Sequence, residues 1–385
     1  MTVADQKRTA APVGGSVKTF QAVSDAQNGR TSGFDLMRIM LAAAVIVVHS
    51  VPVAYGQDPN MEMWGGDFRP LVYGVLPMFF ALSGYLVTGS LERTPKLHRF
   101  LGLRAIRLVP ALAVETLLCA VLVGAAVTTL PLEEYFTHWM VRDYFWNIVG
   151  HVHYYLPGVF QDLPAPAVVN VSLWTVPYEL ECYLVLAILA IVGIAKNRWL
   201  LLAAVGVFCA VAPFVIETPE LLERPVGRML VLCFLCGVLM YKFRDKIPHN
   251  ALLFFAALAG ALLLFRGQQF AFWGAPLAAY VTVYLGLMKA PHIPVLMDGD
   301  YSYGLYLFAF PLQQLQAYMF PNAHEWYWNA SFALVAGLAY AAFSWHVIEK
   351  PILSKRNVIL NTVDAVFGKA FGAVRRLLPS KETAA

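Results

Sequence analysis

Charge is what this sequence has least of. Only 14% of its 385 residues are Asp, Glu, Lys or Arg, where a soluble domain carries about a quarter. Beside 59% hydrophobic residues, that shortage excludes the two or three soluble domains that the length alone would allow. Cysteine is sparse too. All five (Cys119, Cys182, Cys209, Cys233, Cys236) fall in apolar stretches, away from the exported loops in which a disulfide framework would lie. Cys233 and Cys236 form a CxxC, but no second ligand pair lies near it and its neighbours are Leu, Phe and Val. It reads as packing by small hydrophobes, and no metal is expected. Residues 1–33 lack an apolar core, so they read as a flexible cytoplasmic tail rather than a signal peptide. No repeat of 20–50 residues is apparent.

What the chain has in abundance is apolar runs of about twenty residues, each long enough to cross ~30 Å of hydrocarbon as a helix. The candidate spans are 36–55, 71–90, 108–130, 171–195, 199–216, 227–243, 251–265, 272–289, 301–320 and 327–347. The expected fold is therefore all-α: a polytopic integral membrane protein with about ten transmembrane helices and both termini cytoplasmic. Lys and Arg set that orientation. With the N-terminus inside, only Arg69, Arg142, Arg224, Arg228 and Arg266 of the 28 basic residues fall in outer segments, which leaves 23 inside. The expected organisation is a tail over 1–33, a membrane domain over 34–353 and a cytoplasmic tail over 354–385. Within that last tail, residues 355–378 pattern as an interfacial amphipathic helix. The longest outer loop, 131–170, is rich in Tyr, Trp, His and Pro; its rings suit an interfacial belt or the stacking of sugar faces.

Ionisable residues inside a span cost about 2.5–3.5 kcal/mol each on insertion scales, so each needs a reason. In the first span Arg38 and His49 lie eleven residues apart, which at ~100° per residue is within ~20° of three full turns. Both point to one side, separated by ~16 Å along the axis, and Asp35 can pair with Arg38 at i,i+3. His49 is either a hydrogen-bonded packing residue or a general base or acyl acceptor, because imidazole titrates near neutrality. The segment LERTPKLHRFLGLRAIRLVP places Arg104 and Arg107 on one helical face. They anchor the inner side by charge, or grip the phosphates of a cytoplasmic donor such as coenzyme A. Glu115 sits within the third span, and Glu179 and Glu181 where the fourth begins at Pro177; they line a cavity or snorkel to the outer interface.

These residues carry a family resemblance. GFDLMRIMLAAAVIVVHS, FFALSGYLV, RFLGLRAIRLVP, SLWTVPYELECY, YSYGLYLFAFP and IEKP occur in that order, and the chain resembles the acyltransferase-3 family of bacterial integral-membrane O-acyltransferases over nearly all of 33–355. The resemblance implies transfer of an acyl group, usually acetyl, from cytoplasmic acyl-CoA (acetyl-CoA as co-substrate) to a hydroxyl of a surface, exported or lipid-linked glycan. It implies a bacterial inner-membrane location, a glycan and the lipid bilayer as partners with polysaccharide assembly proteins nearby, and no nucleic acid. By the same resemblance His49 is the catalytic imidazole, Arg38 organises its polar stripe, Glu179 is the acid of the SLW…E motif, and Arg104 and Arg107 bind the coenzyme. Trp174 and Tyr183 lie in the same motif segment. Many members carry a His where this chain has Ala309, so the resemblance implies no second His in span nine and leaves His49 alone. The rival class is a secondary transporter or glycan flippase, which ten helices with intramembrane charges would also suit. Its two halves, however, show no evident inverted repeat. A non-catalytic scaffold would leave Arg38 and His49 without a purpose.

Overall fold

Long apolar segments can satisfy their backbone polar groups within a bilayer only by coiling into helices, and each of the ten apolar stretches does so. The computed structural model describes residues 18–365, apart from 30, 95, 219–223, 292, 295–298 and 324. Among the described residues there are no strands, only two isolated bridges. The helices in chain order are α1 (Phe20–Asp25), α2 (Ser32–Tyr55), α3 (Gln57–Trp64), α4 (Arg69–Arg93), α5 (Leu97–Val127), α6 (Leu132–Thr137) and α7 (Trp139–Tyr144). They continue with α8 (Val176–Ile191), α9 (Arg198–Val215), α10 (Gly227–Lys242), α11 (Ala251–Leu264), α12 (Ala271–Gly286), α13 (Tyr301–Met319) and α14 (Trp326–Ser354).

Six of these, α2, α4, α5, α9, α14 and α8 with its leading turn (Val171–Ile191), are long and apolar enough to cross a membrane. The chain is thus an all-helical membrane protein with several passes. The remaining predicted spans fall short for two different reasons. Helices α10, α11 and α12 have 16, 14 and 16 residues, or about 21–24 Å of rise. Helix α13 is long enough at 19 residues but carries Gln313, Gln314 and Gln316. These three are buried and donate to the carbonyls of Ile46, of Ala165 and Val168, and of Ala323. A helix enclosed by others does not have to be lipophilic, provided its polar groups find partners inside the bundle.

Two groups of helices pack around the interior. In the first, α4 lies against α10 and both against α12; in the second, α13 packs on α14 and α2, with α2 also touching α4 and α12. The α4–α10 crossing depends on two glycines. A Cβ on Gly84 would sit 2.0 Å from the Phe234 carbonyl oxygen, and one on Gly237 would sit 2.0 Å from that of Ala81. The backbones meet directly, as small residues permit between membrane helices. Helices α9 and α11 are peripheral and turn apolar side chains outward, with Phe214, Val215, Leu252 and Leu263 mostly exposed, as lipid-facing surfaces require.

Two ends differ from the predicted limits. Helix α5 begins at Leu97 rather than 108, because the basic segment RFLGLRAIRLVP is itself helical and extends the span. It continues through a π-helical stretch, Leu118–Val123. Helix α14 likewise runs through a π-turn, Ser344–Glu349, to Ser354. Part of the stretch expected to be an N-terminal tail is structured: α1 buries Phe20, whose N–H donates to the Ile247 carbonyl at 2.9 Å. At the other end residues 356–365 are helical. Asp364 accepts from Arg99 Nε at 2.8 Å and contacts His98 at 2.6 Å, which docks this helix on the start of α5. The rest of the predicted amphipathic segment, 366–378, lies outside the described residues.

Candidate active site

Helix α2 carries both polar candidates of the first span on its interior side, and the structure separates them into two cavities. The first, of about 650 Å³, is lined among others by Arg38, Arg93, Arg104, Arg107, Glu179 and Tyr183. The second, of about 520 Å³, is lined by His49, Trp174, Tyr154, Tyr155, Arg224 and Phe310 among others. Leu76 of α4 and Tyr306 of α13 line both. They form the junction between an arginine-rich compartment and a histidine-containing aromatic one.

The arginines are held by groups far away in sequence. Arg38 Nη1 lies 3.2 Å from Asp300 Oδ2 and 4.0 Å from Asp35 Oδ1. The expected i,i+3 partner is therefore secondary. Arg107 Nη2 donates to the same Asp300 oxygen, and Ser302 Oγ donates to its other oxygen at 3.0 Å. Asp300 precedes α13. Burial alone would raise its pKa, but the charges of Arg107 and Arg38 outweigh burial and hold the carboxyl well below its usual range. Asp300 thus ties α2, α5 and α13 together through Arg38, Arg107 and Ser302, which line the cavity. Sequence reading missed it because its partners are 262 and 193 positions away, beyond any local pattern.

Arg104 is less committed. Its Nη2 donates to Ser90 Oγ at 3.0 Å, and its guanidinium lies 6.0 Å from the Tyr183 ring centroid. Its Nε is buried without a partner among the described residues, as is the Tyr303 hydroxyl in the same cavity. Unsatisfied buried donors cost about 1–3 kcal/mol each, so these are groups a polar ligand would complete. Glu179 accepts from the Tyr183 hydroxyl and faces this cavity rather than the outer surface. Glu181 pairs instead with Arg228 at a more exposed position. Glu115 lines neither cavity. It is fully buried with Asn170 Nδ2 at 2.8 Å and Cys119 Sγ at 3.2 Å. Asn170 also donates to the Leu307 carbonyl at 2.7 Å and caps the turn before α8 by accepting from the Ser172 N–H. This knot fixes where the SLW segment enters the bundle, so the role of Glu115 is architectural.

In the second cavity the His49 ring meets Phe310 edge-on, with centroids 5.4 Å apart. Neither of its nitrogens has a hydrogen-bond partner among the described residues, which counts against a hydrogen-bonded packing role and leaves the imidazole free for a reacting group. Trp174 lines the same cavity with Arg224 stacked over it, 4.3 Å from guanidinium carbon to ring centroid. At the junction, the Tyr306 hydroxyl is 2.8 Å from Thr175 Oγ1 and donates to the Ser172 carbonyl at 3.2 Å. Ala309 lines neither cavity. It packs with Ala42, Ile46 and Leu305, so its small size serves the α2–α13 contact. Cys233 and Cys236 are both buried in the packed face of α10. The 131–170 loop contributes Tyr154, Tyr155 and Pro164 to the rim of the second cavity, while Trp139 and Trp146 are exposed.

Comparison with known proteins fits this arrangement. The acyltransferase-3 family profile, described as an acyltransferase domain, matches residues 31–348. An O-acetyl transferase of Shigella phage Sf6 is 25% identical over 345 residues, covering 85% of this chain and 97% of the relative. Nodulation protein 10 of Rhizobium leguminosarum bv. viciae is 29% identical over 362 residues, covering 86% and 96%. No solved structure matches the chain. With the family profile spanning the helices that build both cavities, the chain belongs to the acyltransferase-3 family and is a membrane O-acyltransferase.

Proposed function

We propose that the protein moves an acetyl group from cytoplasmic acetyl-CoA to a hydroxyl of a surface or exported glycan, or of a lipid-linked precursor. The observation that carries this reading is the pair of adjacent cavities that share Leu76 and Tyr306 as walls, one cationic and the other histidine-bearing. The coenzyme's phosphates suit Arg104 and Arg107, since guanidinium forks bind phosphate oxygens bidentately. The unpaired Arg104 Nε and Tyr303 hydroxyl fit such a polar ligand. The thioester end would pass the junction toward His49. There the acceptor oxygen attacks the thioester carbonyl while His49 takes the hydroxyl proton. The carbon–sulfur bond breaks, and the departing thiolate takes that proton. Arg38 and Asp300 hold the helices that form the donor compartment, and Glu179 fixes Tyr183 beside Arg104.

The ten-span thread with both termini in the cytoplasm of a bacterial inner membrane belongs to the same proposal. Its support is the bias of 23 of 28 basic residues to inner segments under that orientation. The donor cavity then opens to the cytoplasm and His49 lies toward the outer leaflet. Binding of acetyl-CoA to purified protein, measured calorimetrically, tests the donor assignment. We expect binding that is lost in the Arg104→Ala/Arg107→Ala variant; unchanged binding would rule out this site.

A further inference from the structure

The second cavity has a charge asymmetry that the transfer reaction itself does not require. Arg224 is its one permanently charged lining residue, and no Asp or Glu lines it among the described residues. Arg224 also has no carboxylate partner among the described residues. The residue is exposed, but its side chain is held in place. Its guanidinium is stacked 4.3 Å over the Trp174 ring, and Trp174, 9% exposed, is itself held edge-on by Tyr178 at 6.0 Å. Stacking fixes the plane of the fork while leaving its N–H edges free. A cation at the exposed side of a largely apolar cavity, oriented and without a carboxylate partner among the described residues, suits recognition of an anion. Tyr154 and Tyr155 line the same cavity and offer ring faces for a pyranose.

We infer that Arg224 on its Trp174 platform binds a carboxylate of the acceptor, so the acceptor glycan is acidic and contains a uronic acid or another carboxylated sugar near the acetylated hydroxyl. A planar carboxylate matches the guanidinium fork through two parallel hydrogen bonds. Arg224 and His49 line one cavity of about 520 Å³, a size that holds a small ligand and no more. The anion and the reacting hydroxyl therefore belong to the same sugar or to adjacent ones. This inference rests on the proposed glycan acceptor and specifies its class.

The test uses full-length protein in nanodiscs and three probes: p-nitrophenyl β-glucuronide, p-nitrophenyl β-glucoside and undecaprenyl phosphoglucose. The first two differ only in one carboxylate; the third carries its charge as a lipid phosphate. Binding measured by thermophoresis is expected to be at least about tenfold tighter for the glucuronide than for the glucoside, as a charge-assisted hydrogen-bonded pair provides. That preference should collapse in Arg224→Gln and persist in Arg224→Lys at reduced strength. Equal affinity for the two glycosides, or a preference that survives Arg224→Gln, overturns the inference. Selective, Arg224-dependent binding of the phosphoglucose alone also overturns it, by assigning the cation to a lipid phosphate. Acetyl transfer from acetyl-CoA in the same nanodiscs separates the two levels. Arg224-dependent glucuronide binding with no transfer to any probe would leave the anion site standing and count against the proposed donor chemistry.

Discussion

Asp300 offers the sharpest perturbation, because one carboxylate serves two arginines. Replacing it with Ala leaves Arg38 and Arg107 facing each other without their shared counter-ion. Removing one partner from a buried ion pair costs about 3–5 kcal/mol. The side chains here are 18–25% exposed, so water regains some access and the loss should fall toward 3 kcal/mol. Arg107→Ala alone should cost less, since Asp300 keeps Arg38 and Ser302 as partners. If the two act as a unit, the double variant is less destabilised than the sum of the single ones by about 1–3 kcal/mol. Equilibrium unfolding in mixed micelles, followed by tryptophan fluorescence, measures the cycle. Losses that add to within about 0.5 kcal/mol would show that the residues are independent, and the account of Asp300 as the tie between α2, α5 and α13 would fail.

Other perturbations read different parts of the account. Gly84→Ala or Gly237→Ala places a methyl against a backbone carbonyl and should cost about 1–3 kcal/mol by overpacking, visible as a lower unfolding temperature and lower yield. Leu76→Trp fills the junction between the cavities, so acetyl transfer should be lost while acetyl-CoA binding is retained. Loss of both would place Leu76 in the donor site itself. The docking of helix 356–365 should respond to acid. Hydrogen bonds from Arg99 and His98 hold the Asp364 carboxyl below its usual range. A depressed carboxylate contributes at neutral pH and loses its contribution as pH falls through its folded-state value. Limited proteolysis of this helix should therefore speed up on acidification and not on mild alkalinisation.

Much of the site could be read from helical periodicity. Arg38 and His49 share a side of α2 because eleven residues nearly close three turns, and the i,i+3 spacing brought Arg104 and Arg107 to one cavity. What escaped was whatever depends on contacts between distant segments. Asp300 and Tyr306 reach the site only when α13 packs against α2 and the turn before α8. Arg224 counted as one more outer basic residue until its stacking on Trp174 was visible. The early start of α5 was hidden by its own charges, since a hydropathy reading stops at Arg107 while the helix continues as an amphipathic extension to Leu97. The short α10, α11 and α12 were overestimated because apolar length in sequence includes residues that fold into turns, such as Phe243, Phe265 and Leu287.

The central claim is that one protein brings a cytoplasmic donor and an outer-facing acceptor to His49 from opposite cavities. Sealed inverted membrane vesicles test it directly, with labelled acetyl-CoA supplied outside and the glycan enclosed within. The account predicts that label reaches the enclosed glycan, and that His49→Ala at equal abundance abolishes the transfer. Undiminished labelling by the His49→Ala protein, or labelling only when donor and acceptor share one side, would contradict it.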